Sequence, residues 1–184
     1  MIREIVLYGD PVLRTKGKRI EKVDDSIRQM AADMIETMQD ADGVGLAGQQ
    51  IGEALQITVI DVSEVESRPS QMWINGQEVD PKEHMPVVLL NPGLELESDR
   101  EIGTEGCLSF PEITAEISRA AKVKVKAQGL DGNPIEFEAS GLLARALQHE
   151  TDHLNGILFI DRMSSASKAS LAARLKRMAN AGHE

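Results

Sequence analysis

His149-Glu150-Thr151-Asp152-His153 is the stretch of this 184-residue chain whose spacing specifies a chemistry most directly. Histidines four residues apart lie on one face of an α-helix, one turn apart, so both imidazoles can converge on a single metal ion. Glu150, between them, projects close enough to exchange a proton with a water in the same site. Two surface histidines on an amphipathic helix are the bland alternative. The motif falls inside the best helical segment of the chain, which favours the metal.

A catalytic site of this type takes three protein ligands and keeps one position open. The pattern His-Glu-x-x-His-x-x-Gly-x-x-His does not supply the third, because Gly156 is present but Phe159 stands where the last histidine would be. The acids after His153 are Asp161, too near to fold back easily, and the terminal Glu184. The ligand is therefore sought upstream. Cys107, the single cysteine, sits in Glu105-Gly106-Cys107-Leu108-Ser109. A free cysteine is commonly a small buried apolar residue, but the unfilled position favours the thiolate, which a metal keeps deprotonated. Asp161 or His84 would be next in line. A closed structural site would need a fourth ligand, for which His84 and His183 are the spare imidazoles.

A third cluster is Gly43-Val44-Gly45-Leu46-Ala47-Gly48-Gln49-Gln50. It is no phosphate loop, since no Gly-Lys-Ser/Thr follows, and it comes after a helix and not a strand. Alone it says that backbone approaches something closely or that a helix stops there.

These clusters need a scaffold. Residues 25–40 place Ile27, Met30, Ala31, Met34 and Met38 on one helical face, with Asp24 or Asp25 as cap and Gly43 as terminator. Leu55 to Val62 reads as a buried strand, and Pro86 to Asn91 as another. Between them, Ser63 to Met85 is polar, with Pro69, Pro81 and a hairpin signal at Asn75-Gly76, and reads as a long surface excursion. Ile113 to Ser118, Val123 to Ala127 and Ile135 to Glu138 alternate as strands, with a turn at Asp131-Gly132-Asn133-Pro134. From Ser140, a plausible cap, the period becomes helical through Leu142, Leu143, Ala146, Leu147 and Leu154, and Gly156 marks the end. Ser164 to Ala181 is a last helix. The expected class is α+β: mostly antiparallel sheets packed around the central metal-binding helix, with N-terminal and C-terminal helices, in one domain over residues 1–184.

Thirty acidic against twenty basic side chains give a net charge of -10, which argues against non-specific binding to DNA, RNA or anionic lipid; no DNA and no membrane are expected as partners. No apolar run reaches the about 18 residues of a membrane helix, and the start carries Arg3 and Glu4 with no leader pattern. The default compartment is therefore the cytoplasm, where the lone cysteine, which can form no internal disulfide, stays reduced, and a monomer is expected.

The three clusters, in this order and at these separations, resemble peptide deformylase. That family carries Gly-x-Gly-x-Ala-Ala-x-Gln, Glu-Gly-Cys-Leu-Ser and Gln-His-Glu-x-Asp-His-Leu-x-Gly. This chain has Gly43 to Gln50, Glu105 to Ser109 and Gln148 to Gly156, with Gly48 where the family usually has Ala. The resemblance runs from Gly9-Asp10-Pro11-Val12-Leu13-Arg14 to the last helix, and Ser63 to Met85 looks like a lineage-specific insertion.

The resemblance implies hydrolysis of the N-formyl group from the initiator methionine of new polypeptides, giving formate and a free amino terminus. It implies Fe²⁺, with Ni²⁺, Co²⁺ or Zn²⁺ as substitutes, held by Cys107, His149 and His153. It makes Glu150 the proton carrier, and the Gln50 side-chain amide and Leu108 backbone N–H the donors to the oxyanion. Val44, Leu142 and Ala146 are candidates for the methionine slot, with plain core packing as the competing reading, and Gly45 would let an extended substrate backbone lie alongside. Asp152 faces away from the metal side and could be held by Arg119. The last helix is locally basic: Lys168, Arg174, Lys176 and Arg177 oppose only Glu184. Related enzymes dock on the ribosome near the exit tunnel by such a helix; a solvated amphipathic helix is the alternative. A metallopeptidase using the same His-Glu-x-x-His chemistry is the enzymatic rival, and a nascent-chain binder with a dead site the non-enzymatic one.

Overall fold

A computed structural model describes residues 1–181. In chain order the elements are α1 (Asp25–Asp40), β1 (Gly45–Ala47), β2 (Ile57–Ile60), β3 (Ser70–Ile74), β4 (Gln77–Val79), β5 (Val87–Leu96), β6 (Arg100–Cys107), β7 (Phe110–Ala120), β8 (Lys122–Gln128), β9 (Pro134–Ser140), α2 (Gly141–Leu154) and α3 (Ser165–Ala181). Seven strands form one sheet in the order β1-β2-β5-β8-β9-β3-β4, and β6 pairs with β7 in a two-stranded ribbon. Every named pair is antiparallel. The α+β expectation, with a helix against antiparallel sheets, describes this architecture.

Helix α1 forms where its apolar period predicts. Asp24 accepts the Ile27 N–H at 3.0 Å, and Ile27, Ala31, Met34 and Met38 are buried together with Ile57 and Val59 of β2. The stop differs in detail: the left-handed residue is Asp42, at φ 55°, and not Gly43. Gly43 answers a different need, since a Cβ there would lie 2.7 Å from the Leu108 side chain. All four residues of β2 are buried because neighbours cover both its faces.

The 63–85 excursion is more ordered than its polarity predicts. Asn75 and Gly76, both at positive φ, make a two-residue turn between β3 and β4. Strand β3 then pairs with β9, joining the main sheet. Met72 is the one fully buried residue of β3, with Ile74 only partly buried against the same core, so the alternation was too short to read. Strand β6 was also missed. Its glycines and charges hide any period, and it exists because β7 supplies its partner.

Helix α2 is buried along most of its length, from Leu142 to Leu154, between the sheet and the ribbon. Its cap departs from expectation. Ser140 precedes the helix, but its hydroxyl donates to Gln71 and makes no capping bond. The first turn is satisfied from β3 instead: Leu143 N–H donates to Ser70 Oγ at 2.9 Å and Leu142 N–H to the Pro69 carbonyl at 3.2 Å. Gly156 closes the helix as expected, at φ 75° and donating to the His153 carbonyl. Helix α3 buries only Leu175, and none of the described helices is long and apolar enough to cross a membrane.

Candidate active site

The last two turns of α2 aim His149, Glu150 and His153 at one point, and all three side chains are buried. Opposite them the β6–β7 ribbon turns over Leu108 and Ser109, and the register shift after Gly106 brings Cys107 to the end of its strand. The sulfur lies 3.3 Å from His153 Nε2. One ligand atom each from Cys107, His149 and His153 falls within 4.8 Å of the others. Asp161 is not among them: it sits across from Arg14, which donates to both its carboxylate oxygens. His84 is exposed in a short turn before β5, and His183 and Glu184 lie outside the described residues.

Electrostatics follow from burial and neighbours. Burial alone would depress the His149 imidazole, but hydrogen bonding to Cys107 and Glu105 outweighs it and holds His149 well above its ordinary value. His153 is pushed well below by burial and by His149. Burial pushes the Glu150 carboxyl up to about 7. Its Oε2 and the Nδ1 of His153 are buried without a protein partner, an expensive state that a ligand or water would relieve. A thiol, two imidazoles and an unpartnered carboxylate converging here fit a divalent metal ion, which would replace the proton His149 otherwise keeps.

Gln50 reaches the same point from a short helical turn after β1. Its Oε1 accepts from Ala47 N–H at 3.0 Å, which fixes the amide orientation. Its Nε2 then points at Ser109 Oγ, 3.1 Å, and Cys107 Sγ, 3.6 Å. Gly45 faces Glu150 from β1: a Cβ there would stand 2.7 Å from Glu150 Oε1. Val44, Gly45, Leu142 and Ala146 all line a cavity of about 480 Å³ that opens onto His149, Glu150, Cys107 and Leu108. Sequence reasoning thus found residues that the fold brings together, although Leu142 and Ala146 also pack in the core around the sheet.

It missed the group beneath them. Glu105, 6% exposed, places Oε1 2.9 Å from His149 Nδ1. Both Arg119 and Arg145 donate to its carboxylate, each at 2.8 Å on Oε2. Burial would raise Glu105, but Arg119 and His149 hold it well below the ordinary carboxylate range. Arg119 also donates to Asp152 at 2.7 Å, the pairing expected from sequence, and Arg162 grips the same carboxylate from outside. The signal for Arg145 was available: an arginine one turn before His149, on an otherwise apolar helix, requires a buried partner. Arg68, from the excursion, reaches the cavity as well.

A buried His-Glu-x-x-His helix facing a cysteine on a strand end, under an apolar cavity beside an open sheet edge, defines a metal-dependent amide hydrolase. Comparison with known proteins narrows this class. The family model for polypeptide deformylase matches residues 2–169. A peptide deformylase of Methylacidiphilum infernorum is 46% identical over 178 residues, covering 97% of this chain and 93% of its own length. The crystal structure of peptide deformylase from Thermotoga maritima is similar at TM-score 0.77 and 41% identity, over 89% of this chain and 99% of that one. That of the Synechococcus elongatus enzyme, in complex with actinonin, gives TM-score 0.79 at 36% identity, over 95% and 86%. The chain belongs to the polypeptide deformylase family, metal-dependent hydrolases that remove the N-formyl group from newly made polypeptides.

Proposed function

We propose that residues 1–184 form one catalytic domain in which Cys107, His149 and His153 hold Fe²⁺, with Ni²⁺, Co²⁺ or Zn²⁺ able to substitute. The observation that carries this reading is the convergence of those three ligand atoms within 4.8 Å beside a Glu150 oxygen with no protein partner. When bound, the metal supplies Lewis acidity that brings a water's pKa from about 15.7 toward about 7.

The chain's own residues do the rest. Glu150, lifted to about 7 by burial, takes the proton of the attacking water and hands it to the departing amine as the formyl C–N bond breaks. Gln50, held by Ala47, donates its Nε2 hydrogens to the oxygen that becomes negative, together with the Leu108 N–H. Strand β1 is an edge of the sheet, so an extended peptide backbone can lie beside Gly45. Val44, Leu142 and Ala146 receive the methionine side chain.

Formyl-methionyl nascent peptides are the substrate in this reading, in the cytoplasm, acted on by a monomer. Helix α3 packs through Leu171, Leu175 and Met178 and carries on its exposed positions Lys168, Arg174, Lys176 and Arg177 for docking near the ribosomal exit tunnel. Anaerobic, Fe²⁺-loaded protein should release formate from formyl-Met-Ala; no formate from metal-replete protein would sink the reading.

A further inference from the structure

The catalytic cavity does not end at the methionine slot. Arg68, Thr104, Leu142 and Arg145 line both it and a second groove of about 970 Å³. One side of this groove is the outer face of the main sheet, where the pairing of β3, β9 and β8 sets Gln71, Ser140 and Lys122 in one row. Trp73, the only tryptophan, stands beside that row, with Lys122 Nζ 4.3 Å from its ring centroid. Ile102 on β6 forms the facing side and is 74% exposed.

The charges of the groove run against those of the chain. Net charge is -10, yet Arg68 and Lys122 line the groove and form no ion pair among the described residues. The Trp73 face holds the Lys122 ammonium in place without neutralising it. Arg145 is not available to a ligand: it is committed to Glu105 and to the Ile117 and Glu101 carbonyls. Glu101 is the one carboxylate in the lining; Glu138 and Glu78 flank Trp73 on the two neighbouring strands, and Glu78 is engaged by Gln71 Nε2 at 3.0 Å.

We propose that this groove receives the part of the formylated peptide beyond its first two residues and selects for an acidic side chain there. The proposal rests on the deformylase reading of the neighbouring cavity. A peptide whose formyl group lies at Glu150, whose backbone runs beside Gly45 and whose first side chain fills the slot at Leu142 passes on towards Arg68, which lines both the cavity and the groove. A carboxylate then meets Arg68 and Lys122, while apolar parts of the peptide cover Ile102. Residues 63–85, through Arg68 and Trp73, are thereby a specificity element of the enzyme.

The test is steady-state kinetics on formyl-Met-Ala-Ala-Ala-Ala amides in which residues three to five are replaced singly by Glu, Lys or Ala. At one or more positions the Glu peptide should have a KM about fivefold below the Lys peptide, with kcat unchanged, because an exposed and a half-buried cation each contribute modestly. The difference should shrink as salt is raised. Arg68→Glu and Lys122→Glu, made separately, should each abolish or invert the preference. Equal KM values for Glu and Lys peptides at every position overturn the proposal, as does a preference that neither charge reversal alters. Formyl-Met-Ala is run alongside: failure to cleave it strikes the deformylase reading, whereas cleavage without any charge preference strikes only the groove.

Discussion

Glu105 Oε1 and His149 Nδ1 lie 2.9 Å apart, so one carboxylate fixes which nitrogen of His149 faces the ligand set. Such outer partners typically change metal affinity by about 10–100-fold when removed. Glu105→Gln should therefore weaken metal binding by that factor, read by competition with a chromophoric chelator. It should also cost about 3 kcal/mol in denaturant unfolding, because Arg119 and Arg145 lose the anion between them. Metal affinity equal to that of the parent would mean that packing alone orients His149.

Glu150→Gln keeps the shape of the side chain and removes its proton chemistry. The metal content should be unchanged and kcat should fall at least about 10²-fold. Near-normal turnover by the metal-replete variant would show that a different group carries the proton.

For Gln50 the split between constants is the informative readout. If its amide steadies the oxyanion, Gln50→Ala lowers kcat by roughly 10²-fold and leaves KM nearly unchanged. An effect confined to KM would place Gln50 in ground-state binding.

Cys107 is the oxidisable ligand of the proposed set. Iron-loaded protein should lose activity in air much faster than nickel-loaded protein, and removal of the metal by a chelator should abolish activity in both. Cys107→Ser should hold metal more weakly, since a hydroxyl rarely deprotonates. Identical decay of the two metal forms, or parental affinity in Cys107→Ser, would remove Cys107 from the ligand set.

Asp161 carries the pH prediction. Burial raises its carboxyl, but hydrogen bonds from Arg14 and the Leu158 N–H outweigh that and leave it below the ordinary value. A depressed carboxylate contributes stability that is fully present above its unfolded value near 4 and is lost as pH falls through the folded value. Arg14→Ala should thus be less stable by about 1 kcal/mol or less at neutral pH, the pair being partly exposed. Denaturant midpoints of parent and variant should converge in acid; a gap that stays constant down to that range would refute the pairing.

The legible and illegible parts of this protein divide by the range of the interaction. His149 and His153 were found because a helix of period 3.6 brings residues four apart together, and that period was visible in the apolar residues around them. Cys107 followed from ligand counting, which needs no knowledge of the path between β6 and α2. Strand β6 was not readable, because Arg100 to Cys107 has no alternation of its own and is held by β7. The Glu105, Arg119 and Arg145 cluster joins residues 14 and 40 apart in sequence, and nothing local in any of the three announces the others. Gly45 was read as room for a substrate; it is equally room for Glu150.

The bond from Leu143 N–H to Ser70 Oγ makes the excursion and the ligand-bearing helix parts of one joint. Chimeras that exchange this region between relatives therefore have uneven seams. Length can change at the Asn75-Gly76 tip or among exposed residues such as Glu66 and Ser67, which lie outside every strand and helix. A transplant that crosses Pro69 and Ser70 must bring its own acceptors for the first turn of α2, or the helix start frays and His149 moves with it.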